Sequence, residues 1–294
     1  MGGTFEDALS VSNFLDLLRE EQGSGCRIAI IDSGASSKHP VSDYTNLTDK
    51  SLTDTEEHGR YIHEAIYKIL PEAEIFIVKI PDPTPDHILV TALKEAVKFK
   101  PHAINLSISS EYPSDGTDPI SHYVNHISKT TIVTIAAGNG GPKLMSIGPP
   151  AVAEEALTVG GATVQGRLWR RSGRGPTLDG RWKPNVVAPT NYTLGHLLVS
   201  GTSFAAPIAT ALAALLNRDV KDSYAVRKLI ELTARPIPVS TPHPLTMQGT
   251  RKQSLIKKLI EAWPRLTDPR NHTGMGIIDA GRARETARRL RGFS

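Results

Sequence analysis

The chain has 294 residues, 39% of them hydrophobic, with 34 Lys and Arg against 30 Asp and Glu and one cysteine. That composition fits one large folded core or at most two domains, and excludes a disordered chain and a disulfide-built scaffold. No apolar run approaches the length of a membrane span, and the +4 net charge resides in residues 281–294, which hold five Arg and one Glu and carry no nucleic-acid motif.

In chain order, Phe5, Ala8, Leu9, Leu15, Leu17 and Leu18 suggest a short helical arm over residues 1–25. Its charges, Glu6, Asp7, Asp16, Arg19, Glu20 and Glu21, leave no apolar segment of the kind a secretion signal needs. An apolar run over 27–31 reads as a buried parallel strand ending in Asp32-Ser33-Gly34, and an acid at the carboxyl end of such a strand lies where α/β proteins keep their sites. Ile62, Ala65, Ile66 and Ile69 recur at helical spacing, so a helix over 61–70 is expected, with His58 at its start. Strands over 75–80, 103–108, 131–137 and 156–159 alternate with helices over 86–99 and 119–128. The expected fold class is therefore α/β, a mostly parallel sheet covered by helices on both faces.

The strand over 131–137 delivers Asn139 onto the turn Gly138-Asn139-Gly140-Gly141, where a side-chain amide can reach a reacting oxygen. Residues 197–200 read as a short strand, and Ser203 opens an apolar helix over 203–217 with Pro207 expected in its first turn. An isolated serine before a helix is ordinarily a cap. A nucleophilic serine instead needs a base and a group to orient that base, and at a helix start its own N–H and the helix dipole lie beside its Oγ. His58 and Asp32 are the candidate base and orienting acid. Taken singly, each has a structural alternative: Asp32 a strand-end cap, His58 a helix cap, Asn139 a turn residue.

Taken together, Ile30-Ile31-Asp32-Ser33-Gly34, His58-Gly59, Ala103-Ile104-Asn105-Leu106-Ser107, Ala136-Ala137-Gly138-Asn139, Lys183-Pro184-Asn185-Val186-Val187-Ala188-Pro189 and Gly201 to Pro207 resemble the subtilisin-like serine proteases, the subtilases, in the family's order of Asp, His, Ser. The resemblance covers roughly residues 26–236, and Gly274 to Ala280 resembles the family's closing strand-to-helix segment. It implies that Ser203 is the nucleophile, His58 the base and later the acid, and Asp32 the group that holds the imidazole. It further implies an oxyanion hole made by the Asn139 amide and the Ser203 N–H. Ser107, Ile108, Ser109 and Gly138 would wall the primary specificity pocket. Neither a metal nor an organic cofactor is implied; the partner is a protein or peptide substrate.

The chain also departs from the family. Arg60 stands where Thr is usual, after three acids (Asp54, Glu56, Glu57) that would favour protonated His58. Between the His58 helix and the next strand only Pro71-Glu72-Ala73-Glu74 remains, so the calcium loop of many secreted members is expected to be missing. Asp43, Asp49 and Asp54 are the candidates for a substitute calcium site. Ser109 and Ser110 replace common glycines, and the prolines at 81, 83 and 85 limit ladder pairing with a substrate.

One domain is expected: an arm over 1–25, far too short to resemble the family's folded prodomain, a catalytic core over 26–237, an insertion over 238–273, and a closing strand and basic helix over 274–294. Leu255, Ile256, Leu259, Ile260 and Trp263 make an apolar stripe on a helix over 252–263, while Ala283, Ala287 and Leu290 share one face of the last helix, its arginines forming a solvated face. The expectation is a cytoplasmic serine endopeptidase with a narrow set of substrates, docking a regulatory partner through 238–273 or the last helix, with no nucleic-acid or membrane partner. The alternative is a binding or regulatory module that keeps the fold without turnover.

Overall fold

The computed structural model describes residues 2–53, 58–239 and 268–291. Asp54, Glu56, Glu57 and the helix expected over 252–263 lie outside the described residues. The chain opens with β1 (Gly3–Thr4), α1 (Phe5–Val11) and α2 (Leu15–Glu20). There follow β2 (Arg27–Asp32), β3 (Asp43–Asn46), α3 (His58–Ile69), β4 (Glu74–Lys79), α4 (Asp86–Lys98), β5 (Ala103–Leu106), α5 (Pro119–Ile127), β6 (Ile132–Ala136) and β7 (Leu157–Ala162). The second half adds β8 (Val186–Pro189), β9 (Tyr192–Leu194), β10 (Leu197–Val199), α6 (Thr202–Val220), α7 (Ser223–Thr233), α8 (Arg270–Thr273) and α9 (Ala280–Arg291).

Seven strands form one sheet in the order β3-β4-β2-β5-β6-β7-β8, every neighbour pair parallel. Alternation along each strand divides the core between the two faces. Ile28 and Ile30 of β2 join Ile75 and Ile77 of β4 on the face covered by α3 and α6, while Ala29, Ile31, Phe76 and Val78 pack under α4 and α5. Chain order turns back at β2, since β3 and β4 lie to one side of it and β5 to β8 to the other. Asp32 ends β2, so it stands at the carboxyl edge of the point where winding reverses, the crevice of open parallel sheets.

Helix α6 is the axis of the molecule. From Phe204 to Asn217 every residue is buried, the pattern of a helix wrapped on all sides by protein. Gly201 caps it with φ 131°, a backbone conformation that favours glycine, and no side chain caps the end. Ser203 is thus the second helical residue, not a cap. Pro207 is the sixth, beyond the first turn, so its position differs from the expected one. Its missing N–H is the one that would bind the Ser203 carbonyl, and the Ser107 hydroxyl donates to that carbonyl instead, at 2.9 Å.

The last helix also departs from expectation. Ala283 and Ala287 are buried as expected, but Leu290 is exposed. Arg284 is buried, and pairs with Glu21 and Asp219 rather than facing water. Together with Arg218, which pairs with the same two carboxylates, it ties the N-terminal arm, α6 and α9 together. Among the described residues no helix is long and apolar enough to cross a membrane.

Candidate active site

Three loops at the carboxyl edge of the sheet converge on the N-terminus of α6. From β2, Asp32 is 2% exposed and its Oδ1 lies 2.8 Å from His58 Nδ1. The same oxygen accepts the Ser33 N–H at 2.8 Å. A carboxylate only accepts, so Nδ1 carries the imidazole proton, and the neutral ring keeps its lone pair on Nε2. That is the tautomer a general base needs.

The residue after His58 has to be glycine. A Cβ at Gly59 would lie 2.5 Å from the Gly34 carbonyl and 3.1 Å from Asp32 Oδ1. The Gly59 N–H donates to Ser33 Oγ at 3.1 Å, tying the first turn of α3 to the Asp-Ser-Gly loop. Phe204, next to Ser203, braces the imidazole with ring centroids 5.8 Å apart. Arg60 lies over the Tyr61 ring, 4.8 Å from its centroid, and donates to the Tyr61 hydroxyl.

Ser203 and Ser107 are held to each other twice. Ser203 Oγ donates to the Ser107 carbonyl at 3.2 Å, and Ser107 Oγ donates to the Ser203 carbonyl. Behind Ser107 stands a buried relay: Asn105 Nδ2 donates to Ser107 Oγ at 3.0 Å, and Thr210 Oγ1 of α6 donates to Asn105 Oδ1 at 2.9 Å. The wall segment and the helix carrying Ser203 are therefore one hydrogen-bonded unit.

Asn139 is oriented by a residue the sequence did not single out. Its Oδ1 accepts the Thr202 N–H at 3.0 Å and faces the Thr202 hydroxyl at 3.2 Å. With the oxygen so engaged, Nδ2 is the donor that remains to the amide, and the backbone N–H of Ser203, in the first turn of α6, has no helical partner of its own. Those two donors can share one developing negative charge. Gly138, not Asn139, takes the positive φ of the turn, at 84°.

A cleft of about 440 Å³ runs along these groups. Asp32, His58, Asn139 and Ser203 line it together with Ser107, Ile108, Ser109 and Gly138, so every site residue expected from sequence meets there. Ser110 does not; its hydroxyl accepts from the Tyr112 N–H, and its backbone pairs with Pro149 and Gly148. Pro81, Asp82, Pro83 and Thr84 form a further part of the lining, and Glu111 belongs to it as well. Glu111 Oε1 accepts the Asn139 N–H at 3.0 Å, a pairing with no local sequence signal. No group of His, Cys, Asp or Glu able to hold a metal occurs among the described residues, and Asp54 of the suggested calcium set lies outside them.

A serine at a helix start, a carboxylate-bound imidazole and an outward amide on one parallel sheet have the chemistry of a serine hydrolase. The chain belongs to the subtilase family, the family of the subtilisin-like serine proteases, whose pattern matches residues 23–255. It is 27% identical over 250 residues to the membrane-bound transcription factor site-1 protease of Mus musculus, covering 74% of this chain and 23% of that protein. The chain thus spans about a quarter of the length of such relatives. It is 25% identical over 243 residues to the major intracellular serine protease of Bacillus subtilis, covering 71% of this chain and 73% of that one. Among solved structures, the prenylagaramide maturation protease PagA superposes with a TM-score of 0.70 at 22% identity, covering 93% of this chain and 98% of that chain. A lanthipeptide protease does so with a TM-score of 0.70 at 17% identity, covering 97% and 100%. At those identities the two structures establish the fold.

Proposed function

We propose that the chain hydrolyses peptide bonds through an acyl-enzyme, with Ser203, His58 and Asp32 as its triad. The observation that carries this reading is the 2.8 Å contact between His58 Nδ1 and Asp32 Oδ1, since a ring held by that contact would offer Nε2 as a base to the cleft that Ser203 lines. Ser203 Oγ leaves the Ser107 carbonyl, gives its proton to His58 Nε2 and attacks the substrate carbonyl carbon. The oxyanion accepts from Asn139 Nδ2 and the Ser203 N–H. The imidazolium, stabilised by Asp32, then protonates the leaving amine, and water repeats the sequence to release the acid. Neither metal nor organic cofactor enters these steps. The test is incubation of wild-type and Ser203→Ala protein with a peptide library, read by mass spectrometry. Fragments that depend on Ser203 support the enzyme; tight binding without fragments supports a binding module instead.

We further propose a narrow set of protein substrates in a cytoplasmic setting. The narrow set is supported by Pro81 and Pro83 in the cleft lining, where they supply no N–H to an extended peptide. The setting is supported by the single buried cysteine and by the likeness to a protease whose name calls it intracellular. N-terminal labelling of a native lysate treated with active or Ser203→Ala protein tests the first point. One or a few dominant cuts are expected, and dozens of unrelated cuts would contradict it. Fractionation of the producing cells tests the second.

A further inference from the structure

The titratable residues of the cleft lining are Asp32, His58, Asp82 and Glu111, and among the described residues no Lys or Arg lines it. Asp32 is buried against His58, which leaves Asp82 and Glu111, both exposed, as the carboxylates presented to a ligand. Glu111 lies along the turn that carries Asn139: a Cβ at Gly140 would come within 3.2 Å of Glu111 Oε2, and one at Gly138 within 3.7 Å of its Cγ. Oε1 takes the Asn139 N–H, and a carboxylate has room for several more donors. On the same wall Ser109 Oγ is buried without a hydrogen-bond partner, 3.3 Å from where a Cβ at Gly138 would lie. A buried hydroxyl left so is costly until a partner arrives. The space between residues 107–111 and the Gly138–Gly140 turn therefore offers acceptors, a net negative charge and, among the described residues, no competing cation. A side chain that only donates and carries positive charge satisfies all three.

We propose that Glu111 is a specificity-determining residue that selects Lys or Arg immediately before the scissile bond. The cation sits against the Glu111 carboxylate and Ser109 Oγ, and Asp82 adds attraction from elsewhere in the cleft. This rests on Ser203 being the nucleophile, because that assignment decides which part of the cleft receives this side chain. The rest of the chain outside its C-terminal segment is charge-balanced, so the attraction is local and screened by salt.

The test uses two fluorogenic peptides, identical except for Lys or norleucine before the cut, with wild-type and Glu111→Gln protein. Gln keeps an acceptor for the Asn139 N–H and removes the charge. Wild type is expected to favour the Lys peptide in kcat/KM by about 10- to 100-fold, with the preference shrinking at high salt. Glu111→Gln is expected to lose about 10-fold or more of the Lys-over-norleucine ratio in kcat/KM, whatever it does to the rate common to both peptides. Glu111→Asp should restore part of the loss. Equal kcat/KM for both peptides in wild type overturns the proposal. So does an equal loss on both in Glu111→Gln, which would make Glu111 only a support of the Asn139 turn. Absence of any Ser203-dependent cleavage refutes the active-site reading separately. Fluorescence anisotropy with Ser203→Ala protein then decides the charge preference alone: binding about fivefold or more tighter for Lys supports it, and equal binding overturns it.

Discussion

The cleft is not the largest cavity of the molecule. A second one of about 550 Å³ is lined by residues 180–183, α7 and Asp268, Arg270 and Asn271, and it is richer in charge than the cleft. Yet the charges there answer one another. Arg227 pairs with Glu155, Lys228 with Glu231 at 2.9 Å, and Arg270 with Asp268 at 2.6 Å. Lys183 is buried, and its Nζ donates to the Ala156 carbonyl, Thr158 Oγ1 and Asn185 Oδ1 at 3.0, 3.0 and 2.8 Å. Burial pushes its pKa down, with Arg227 and Arg181 acting the same way, while three acceptors match the three N–H bonds of the ammonium. The cleft is smaller and less charged, but Ser109 Oγ in its lining is buried without a hydrogen-bond partner among the described residues. Volume and charge density therefore do not single out the cleft that holds Asp32, His58 and Ser203.

The sharpest break between the two cavities comes from removing Ser203. Ser203→Ala is expected to lower kcat by about 10⁶-fold, the scale known for a serine nucleophile acting with its base, with melting unchanged. Steady-state kinetics on a cleaved peptide checks it. Asn139→Ala follows, with kcat expected to fall about 100- to 1000-fold and KM to change little, since the amide acts on the oxyanion and not on the bound ground state. At the other cavity the expectation reverses. Lys183→Met leaves three buried acceptors without their donor and should cost about 3 kcal/mol of stability in urea unfolding. Its kcat/KM below the melting range should match wild type. A catalytic defect there in a folded protein would erase the distinction between the two cavities.

The smallest effect separates two histidines of the same helix. His58 opens α3 in the cleft, and kcat/KM should rise with pH as its imidazole loses a proton. His63 is fully buried, and burial, aided by His39, pushes its pKa down to about 4. Its Nδ1 accepts the Ser36 N–H at 3.2 Å, a contact that protonation would turn into donor against donor. The unfolded chain takes that proton near pH ~6.5, and the fold resists it. The stabilising effect is therefore complete above the unfolded value and lost as pH falls toward about 4, by on the order of 2–3 kcal/mol. His272, lowered to about 4 by burial and Arg174, adds in the same direction. Unfolding free energies at several pH values check this, and a flat profile through that range would contradict it.

The sequence made the interior of the sheet legible because β2, β4, β5, β6 and β7 are apolar runs buried on both faces. The triad candidates were legible because Asp32, His58 and Ser203 each follow or open an element whose apolar pattern is strong. Strand β3 had no such signal: Asp43-Tyr44-Thr45-Asn46 is a polar edge strand. In β8, Val186–Pro189, the flanking Pro184 and terminal Pro189 leave an apolar run too short to stand out as a strand. Arg284 looked solvated because its partners Glu21 and Asp219 stand 263 and 65 positions away. Glu111, 28 positions from Asn139, was invisible for the same reason. Pairings between distant loops follow from the fold, and no local periodicity encodes them.

The most direct test of the central claim is the reaction of folded protein with a fluorophosphonate, followed by peptide mapping. A single adduct on Ser203 is expected, formed faster as pH rises and nearly abolished by His58→Ala. Folded wild-type protein that stays unlabelled, or labels elsewhere while Ser203 remains unmodified, would show that Asp32 and His58 do not activate this serine.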